Sequence, residues 1–253
     1  MKTDTGYREP VSKDEQKILA ARYAIDDLYA KGLLASGMKL GLGTGSTAMP
    51  AVARICELIR EGTLSGIRAV PTSFQTSIAC EELGIPVYSM NSREIGGTLD
   101  LAIDGADEVT PELWLIKGGG AALLLEKIVA YSAQRFVIVA DESKAVPDSG
   151  TRFPLPVEII PEARTGIVAA LARLGAVARL REGVRKAGPV VTDNGNLILD
   201  CLWERNESGR SPARPDILED EINRIVGVVE NGFFTRNKPT VYIAHADGSV
   251  EVR

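Results

Sequence analysis

The chain of 253 residues contains one histidine, His245. That scarcity excludes a metal site built from several histidines, and it makes any Ser-His-Asp triad depend on a single side chain. His245 follows the apolar run Val241-Tyr242-Ile243-Ala244 and precedes Asp247-Gly248, which points to a structural place at a hairpin rim. Cysteine is nearly as scarce. Cys56, Cys80 and Cys201 are far apart and form neither a CxxC pair nor metal-ligand spacing. They read as small buried apolar side chains in a reducing compartment. No apolar run is long enough to span a bilayer, so no membrane partner is expected. Residues 1–16 are polar and mixed in charge, without the apolar core of a signal peptide or the acid-poor character of a transit peptide. A cytoplasmic location is the expectation. There is no basic block and the formal charge is −5, so a nucleic-acid surface is not expected and any phosphate must be held locally.

What is present is the balance of an ordinary globule, with 45% hydrophobic and 25% charged residues. The length suits one large domain, or one domain carrying a smaller second one. Apolar periodicity predicts helices over 13–31, 48–61, 74–83 and 121–133. Short strands are predicted at 39–42, 66–70, 86–88, 99–103, 114–116 and 136–140. Strands alternating with helices imply parallel pairing and right-handed crossovers, hence a Rossmann-like, doubly wound α/β sheet. Four prolines, Pro147, Pro154, Pro156 and Pro161, mark a boundary. Beyond it a helix over 162–174, a strand at 176–180, a hairpin of 190–191 with 197–199 around Asp193-Asn194-Gly195-Asn196, a helix over 216–225 and a strand at 228–229 predict a smaller α+β domain. A last hairpin, 240–244 with 249–252, could return to either domain. The expected division is 1–147 with 238–253 for the larger domain and 148–237 for the smaller. Residues 203–215 read as an exposed loop.

Four polar segments follow predicted strands. In open α/β sheets ligands bind beyond the carboxyl ends of strands, so all four point to one edge. Gly43-Thr44-Gly45-Ser46-Thr47 can bring free N–H groups and hydroxyls to an anion, although it is neither a P-loop nor a full dinucleotide fingerprint, and a plain helix N-cap explains it as well. Asp104-Gly105-Ala106-Asp107-Glu108 reads as a turn with aspartate caps, or as two carboxylates aimed at a sugar, where like charge would push one pKa upward. Lys117-Gly118-Gly119-Gly120 is harder to explain without a ligand. Three ordered glycines carry an entropic penalty and contribute no packing, so they suit a place that side chains would obstruct. Glu126 shares a helix stripe with Ala122 and Ala130, which leaves room around its carboxylate; a solvated glutamate paired with Lys127 is the alternative. Lys144, in Asp141-Glu142-Ser143-Lys144, is a further strand-end cation. Together these suit a phosphorylated, polyhydroxylated small molecule.

The segments GLGTGSTA, DGADEV, KGGGAALLLEKI, ADESK, FPLPVEIIPEAR and VVTDNGNLILD, in that order, resemble ribose-5-phosphate isomerases of the A type over nearly the whole chain. The resemblance implies interconversion of D-ribose 5-phosphate and D-ribulose 5-phosphate in the pentose phosphate pathway, without metal or cofactor. It implies Glu126 as the proton-transferring base and Lys117 as the lysine beside the reacting oxygens. Asp104 is implied in ring opening, and Asp104 and Asp107 as substrate-binding aspartates. Thr44, Gly45, Ser46 and Thr47 match the substrate loop. Gly105, Ala106, Gly118, Gly119, Gly120 and Lys144 complete the expected binding set, and Lys17 matches an N-terminal lysine near the phosphate. A homodimer or homotetramer is implied. Leu125 departs from the arginine common at that place, and 203–215 is longer than in compact members. The chemistry agrees: an ordinary glutamate, with a pKa of about 4.3, is ionised at neutral pH and can move a proton between adjacent carbons through an enediol, with Lys117 facing the negative oxygen. Two other readings remain open, a non-catalytic sugar-phosphate-binding regulator and an acyl-CoA transferase with a nucleophilic glutamate.

Overall fold

The computed structural model describes residues 10–209, 211 and 213–253. Most of the polar N-terminal stretch, residues 1–9, and positions 210 and 212 lie outside the described residues. The elements run α1 (Lys13–Ala30), β1 (Lys39–Leu42), α2 (Ala48–Arg60), β2 (Arg68–Pro71), α3 (Phe74–Leu83), β3 (Leu99–Asp104), β4 (Glu108–Val109), β5 (Leu115–Ile116), α4 (Leu123–Tyr131) and β6 (Ala133–Asp141). Then follow β7 (Leu155–Ile159), α5 (Arg164–Arg173), β8 (Ala176–Leu180), β9 (Leu197–Trp203), α6 (Pro215–Asn223), β10 (Val228–Asn231), β11 (Phe233–Phe234), β12 (Thr240–Ala244) and β13 (Val250–Val252).

The central sheet has the order β13-β12-β6-β3-β1-β2. All its pairs are parallel except the β12–β13 hairpin at the edge. The last hairpin therefore joins this sheet. Its strands alternate between two apolar layers, as a doubly covered sheet requires. Val137, Val139, Tyr242 and Ala244 pack with α1 and α2 on one face. Phe136, Ile138, Ala140, Val241 and Ile243 pack on the other with Val129 and Ala130 of α4. Helix α1 starts at a capping box, Ser12 with Glu15, which satisfies two otherwise unpaired backbone donors. Gly41 lets α4 approach β1: a Cβ there would stand 2.2 Å from Val129 Cγ1.

A second sheet, β10-β7-β9-β8, is antiparallel throughout and carries α5 and α6 over a separate apolar cluster that includes Val157, Leu171, Leu199 and Ile222. A third sheet, β11-β5-β4, lies in neither. The predicted strand at 114–116 thus leaves the parallel series; as β5 it pairs antiparallel with β4 and with β11, two short strands that periodicity did not signal. Strand β7 is likewise hidden in the sequence, because Pro154 and Pro156 mask its apolar pattern. Residues 86–88 make only an isolated bridge, Ala69 to Val87. The Asp193–Asn196 turn forms, with Thr192 N–H donating to Asn196 O, but its first arm is reduced to one bridge between Val191 and Leu197. The 203–215 segment begins inside β9 and ends inside α6. Between them Arg205 reaches back to Asp148 and Thr151.

Candidate active site

The strand ends converge as the sequence predicts. One cleft, with about 190 Å³ open to water-sized molecules, is lined by Lys17, Thr44, Gly45, Ser46, Thr47, Gly105, Ala106, Asp107, Lys117, Gly118, Gly119, Gly120, Glu126 and Lys144. The turn after β1 supplies the threonine-rich wall, the turn after β3 the aspartate wall, and a short helical turn after β6 supplies Lys144. Lys17 comes from α1, where it also pairs with Asp14 at 2.8 Å. Lys117 and the glycines come from the end of β5, outside the central sheet, and Glu126 from the first turn of α4. Asp104 stands behind this wall rather than in it.

Lys117 and Glu126 form the buried centre. Lys117 is 2% exposed and Glu126 5%. The lysine Nζ donates to Asp104 Oδ2 at 2.8 Å and to Gly105 O at 2.6 Å. It lies 3.2 Å from Glu126 Oε2, which no hydrogen-bond donor is aligned to satisfy. Glu126 is therefore not a solvated surface group, and it does not pair with Lys127. That lysine points the other way, to Glu219 at 3.2 Å and Glu230 at 2.9 Å. The Phe234 ring lies near both cations, with centroid distances of 5.5 Å to Lys117 and 4.9 Å to Lys127.

Burial reshapes the titration of this pair. Removal from water pushes Glu126 up to about 7; the Lys117 charge opposes the rise, and the Asp104 charge adds to it. The expectation of an ordinary glutamate is thus corrected. For Lys117, desolvation acts downward, but the Asp104 and Glu126 charges and the Asp104 hydrogen bond outweigh it and hold the ammonium well above the usual lysine range.

The two aspartates of the β3 turn have different surroundings. Asp104 Oδ1 accepts from the backbone N–H groups of Thr44 and Gly105, and its other oxygen holds Lys117. Gly43 is what permits this: a Cβ there would stand 1.9 Å from Asp104 Oδ1. Asp107 faces the glycine loop and accepts the Gly119 N–H at 2.7 Å. A Cβ on Gly119 would meet that carboxylate at 2.6 Å, so here the loop needs glycine for close approach. The threonine turn is not a plain N-cap, since the Thr47 side chain makes no capping bond. The Thr44 hydroxyl instead joins those of Thr72 and Ser73, each at 2.7 Å, and the Gly45 N–H donates to Gln75. Thr72, Ser73 and Gln75 are site residues that the local sequence does not reveal. Their one signal was Ser73 as an N-cap before α3, which says nothing about a neighbouring turn. Leu125 lies off the cleft, in a surface groove with Tyr88, Met90 and Ile128. Among the described residues no group of three His, Cys, Asp or Glu is placed to hold a metal ion, and no helix is long and apolar enough to cross a membrane.

Fold and site define a Rossmann-like α/β protein with a small polar cleft, rimmed by lysines and backed by a buried lysine–glutamate pair. A family model described as ribose 5-phosphate isomerase A (phosphoriboisomerase A) matches residues 68–248. The chain is 59% identical to ribose-5-phosphate isomerase A of Treponema denticola, over 91% of this chain and 95% of that one. Its identity to the Treponema pallidum protein of the same name is 51%, over 99% and 97%. Among solved structures, ribose 5-phosphate isomerase A from Methanocaldococcus jannaschii superposes with a TM-score of 0.84 at 40% identity, covering 96% of this chain and 99% of that one. A D-ribose-5-phosphate isomerase in complex with phospho-erythronic acid gives 0.86 at 39% identity, with the same coverage. The chain belongs to the ribose 5-phosphate isomerase A family.

Proposed function

We propose that the chain interconverts D-ribose 5-phosphate and D-ribulose 5-phosphate through an enediol or enediolate, as a metal-independent aldose–ketose isomerase. The observation that carries the reading is the buried Lys117–Glu126 pair, 3.2 Å apart, at the wall of a cleft sized for a small molecule. Family membership and a relative solved with a phosphorylated sugar acid support the same conclusion.

Moving the carbonyl from C1 to C2 requires removing the C2 proton and delivering one to C1. Glu126 is the base. Its carboxylate takes the C2 proton, and the electron pair forms the C1=C2 bond as the carbonyl electrons move onto O1. The O2 hydroxyl proton passes to O1, and the protonated carboxyl returns its proton to C1 as O2 becomes the new carbonyl. A pKa of about 7 suits both halves, because the group is nearly as ready to give a proton as to take one near neutrality. Lys117 faces the enediolate oxygen. Its ammonium is held in place beforehand by Asp104 and the Gly105 carbonyl, so little reorganisation accompanies charge development. Ring opening is also assigned to Asp104, acting through Lys117 because both its oxygens are engaged behind the cleft wall, and substrate hydroxyls are assigned to Asp107. Thr44 through Thr47, with Lys17 and Lys144, form the rim suited to the phosphate; Gly105, Ala106 and the three glycines give the substrate close backbone approach.

A non-catalytic sugar-phosphate sensor would have no use for a buried, high-pKa carboxylate beside a lysine. An acyl-CoA transferase needs room for coenzyme A, and the cleft is small and polar. We further propose a place in the pentose phosphate pathway, a cytoplasmic location and a homodimer or homotetramer, which the family resemblance supports. The division into 1–147 with 238–253 and 148–237 is supported by the separate sheets and apolar clusters, with β5 and β11 stitching the two. The test is isomerisation of D-ribose 5-phosphate by the purified protein in D₂O. Ketose formation with deuterium incorporated at C1 is expected. Neither ketose nor exchange, with the sugar phosphate bound, would leave only the sensor reading.

A further inference from the structure

The glycine loop has a second hold that the catalytic reading leaves unused. Arg181 follows β8 in the smaller sheet and does not line the cleft. Its Nη1 donates to the carbonyl oxygens of Gly118, at 2.9 Å, and Gly119, at 3.1 Å. The rest of the guanidinium is committed to Asp200 on β9, through Nε at 2.9 Å and through Nη2. This bidentate pair fixes the plane of the fork, and with it the direction of the remaining donor. The Arg181 backbone is itself pinned, its N–H donating to Ile198 O and its carbonyl accepting from Val190 N–H.

We propose that Arg181, aimed by Asp200, is a positioning residue for substrate binding: it sets the orientation of the Gly118–Gly120 peptides from the far side of the loop. This rests on the isomerase reading of the cleft. In a trans peptide the N–H points opposite to the carbonyl. Turning the Gly118 carbonyl toward Arg181 therefore turns the Gly119 N–H the other way, where Asp107 accepts it at 2.7 Å. Turning the Gly119 carbonyl the same way points the Gly120 N–H away from Arg181, on the side where Gly120 lines the cleft. Three glycines cannot hold such an arrangement by themselves, since each is free to rotate through both signs of φ, and Gly118 sits at φ 102°. The loop is thus stretched between a carboxylate on one side and a guanidinium on the other. Arg181 does not touch Lys117 Nζ, which Asp104 and Gly105 hold. Its effect therefore falls on substrate binding more than on the chemical step.

The experiment compares steady-state kinetics of the full-length wild type, Arg181→Ala, Arg181→Lys and Asp200→Asn with D-ribose 5-phosphate. Arg181→Ala is expected to raise KM roughly 10–100-fold, the range for losing a hydrogen bond from a charged group, with kcat within about threefold of wild type. The pH dependence of kcat should be unchanged. Arg181→Lys recovers part of the loss, and millimolar guanidinium ion recovers part of it in Arg181→Ala. Asp200→Asn, which keeps the side-chain shape, raises KM by a smaller factor and serves if the alanine variant does not fold. A merely structural role would lower the active fraction, and so kcat, without moving KM. Unchanged KM in both Arg181→Ala and Asp200→Asn beside an active wild type overturns the proposal alone. An inactive wild type overturns the isomerase reading instead.

Discussion

Replacing Glu126 by glutamine separates the two consequences of burying a carboxylate beside Lys117. In the folded chain the group titrates at about 7, against 4.5 for a free glutamate. The folded pKa is the higher one, so the native state binds the proton more tightly than the unfolded chain does. The stability linked to that proton is fully present below about pH 4.5 and is lost as pH rises through about 7. The rise from 4.5 to about 7 corresponds to roughly 3 kcal/mol. At pH 8 the ionised wild type lacks this stabilisation, while glutamine, neutral at every pH, keeps it. Lys117 retains Asp104 and the Gly105 carbonyl in the variant. Glu126→Gln is therefore expected to melt higher at pH 8, by roughly 6–12 °C for a chain of this size, and to match the wild type near pH 4.5. The same substitution removes the base, so kcat falls by at least 10²–10⁴-fold, roughly the contribution of positioned proton transfer, with KM little changed. In the wild type, kcat/KM rises with pH as the carboxylate forms, with the limb shifted well above the usual glutamate range by burial. Scanning calorimetry at the two pH values and a coupled ketose assay from pH 5 to 8.5 measure all of this. Retained turnover in the variant, or a wild-type limb centred near pH 4.5, refutes the reasoning.

Gly43→Ala would place a methyl group 1.9 Å from Asp104 Oδ1, displacing the carboxylate that aims Lys117. A drop in kcat/KM of about 10²-fold is expected, the scale of a 1 Å misplacement, and activity within twofold of wild type would show that Asp104 tolerates movement. Lys127→Met leaves Glu219 and Glu230 without the cation they share, both partly or wholly buried against α4. Breaking a buried ion pair from one side costs about 3–5 kcal/mol, readable as a lower urea midpoint; an unchanged midpoint would mean the two carboxylates find protons or other donors.

Much of the site was legible because its residues sit in short contiguous turns at strand ends. Thr44 to Thr47, Asp104 to Asp107 and Lys144 each follow a strand of the central sheet, whose parallel topology carries strand ends to one edge, while Lys117 to Gly120 follow β5 and reach the same cleft from outside that sheet. Glu126 was the exception. Its helix stripe fits a solvated side chain as well as a buried one, and Lys127 beside it offered a plausible partner. Only packing decides that Lys127 turns toward Glu219 and Glu230 while Glu126 turns toward Lys117. The small strands β4 and β11 were missed because two residues carry no period, and β5 was placed in the parallel sheet because nothing local signals its antiparallel pairing with nearby β4 and distant β11.

The sequence by itself determined the doubly covered parallel sheet, the helices that cover it and the set of turns that reach one edge, since these follow from local periodicity, glycine and topology. It also determined the family, through six segments in order. Tertiary structure alone decided the electrostatics. The rise of Glu126 to about 7, the placing of Asp104 behind Lys117 and the grip of Arg181 on the glycine loop each depend on groups distant in sequence. Desolvation and charge–charge distance are properties of the packed interior, and no local pattern encodes them.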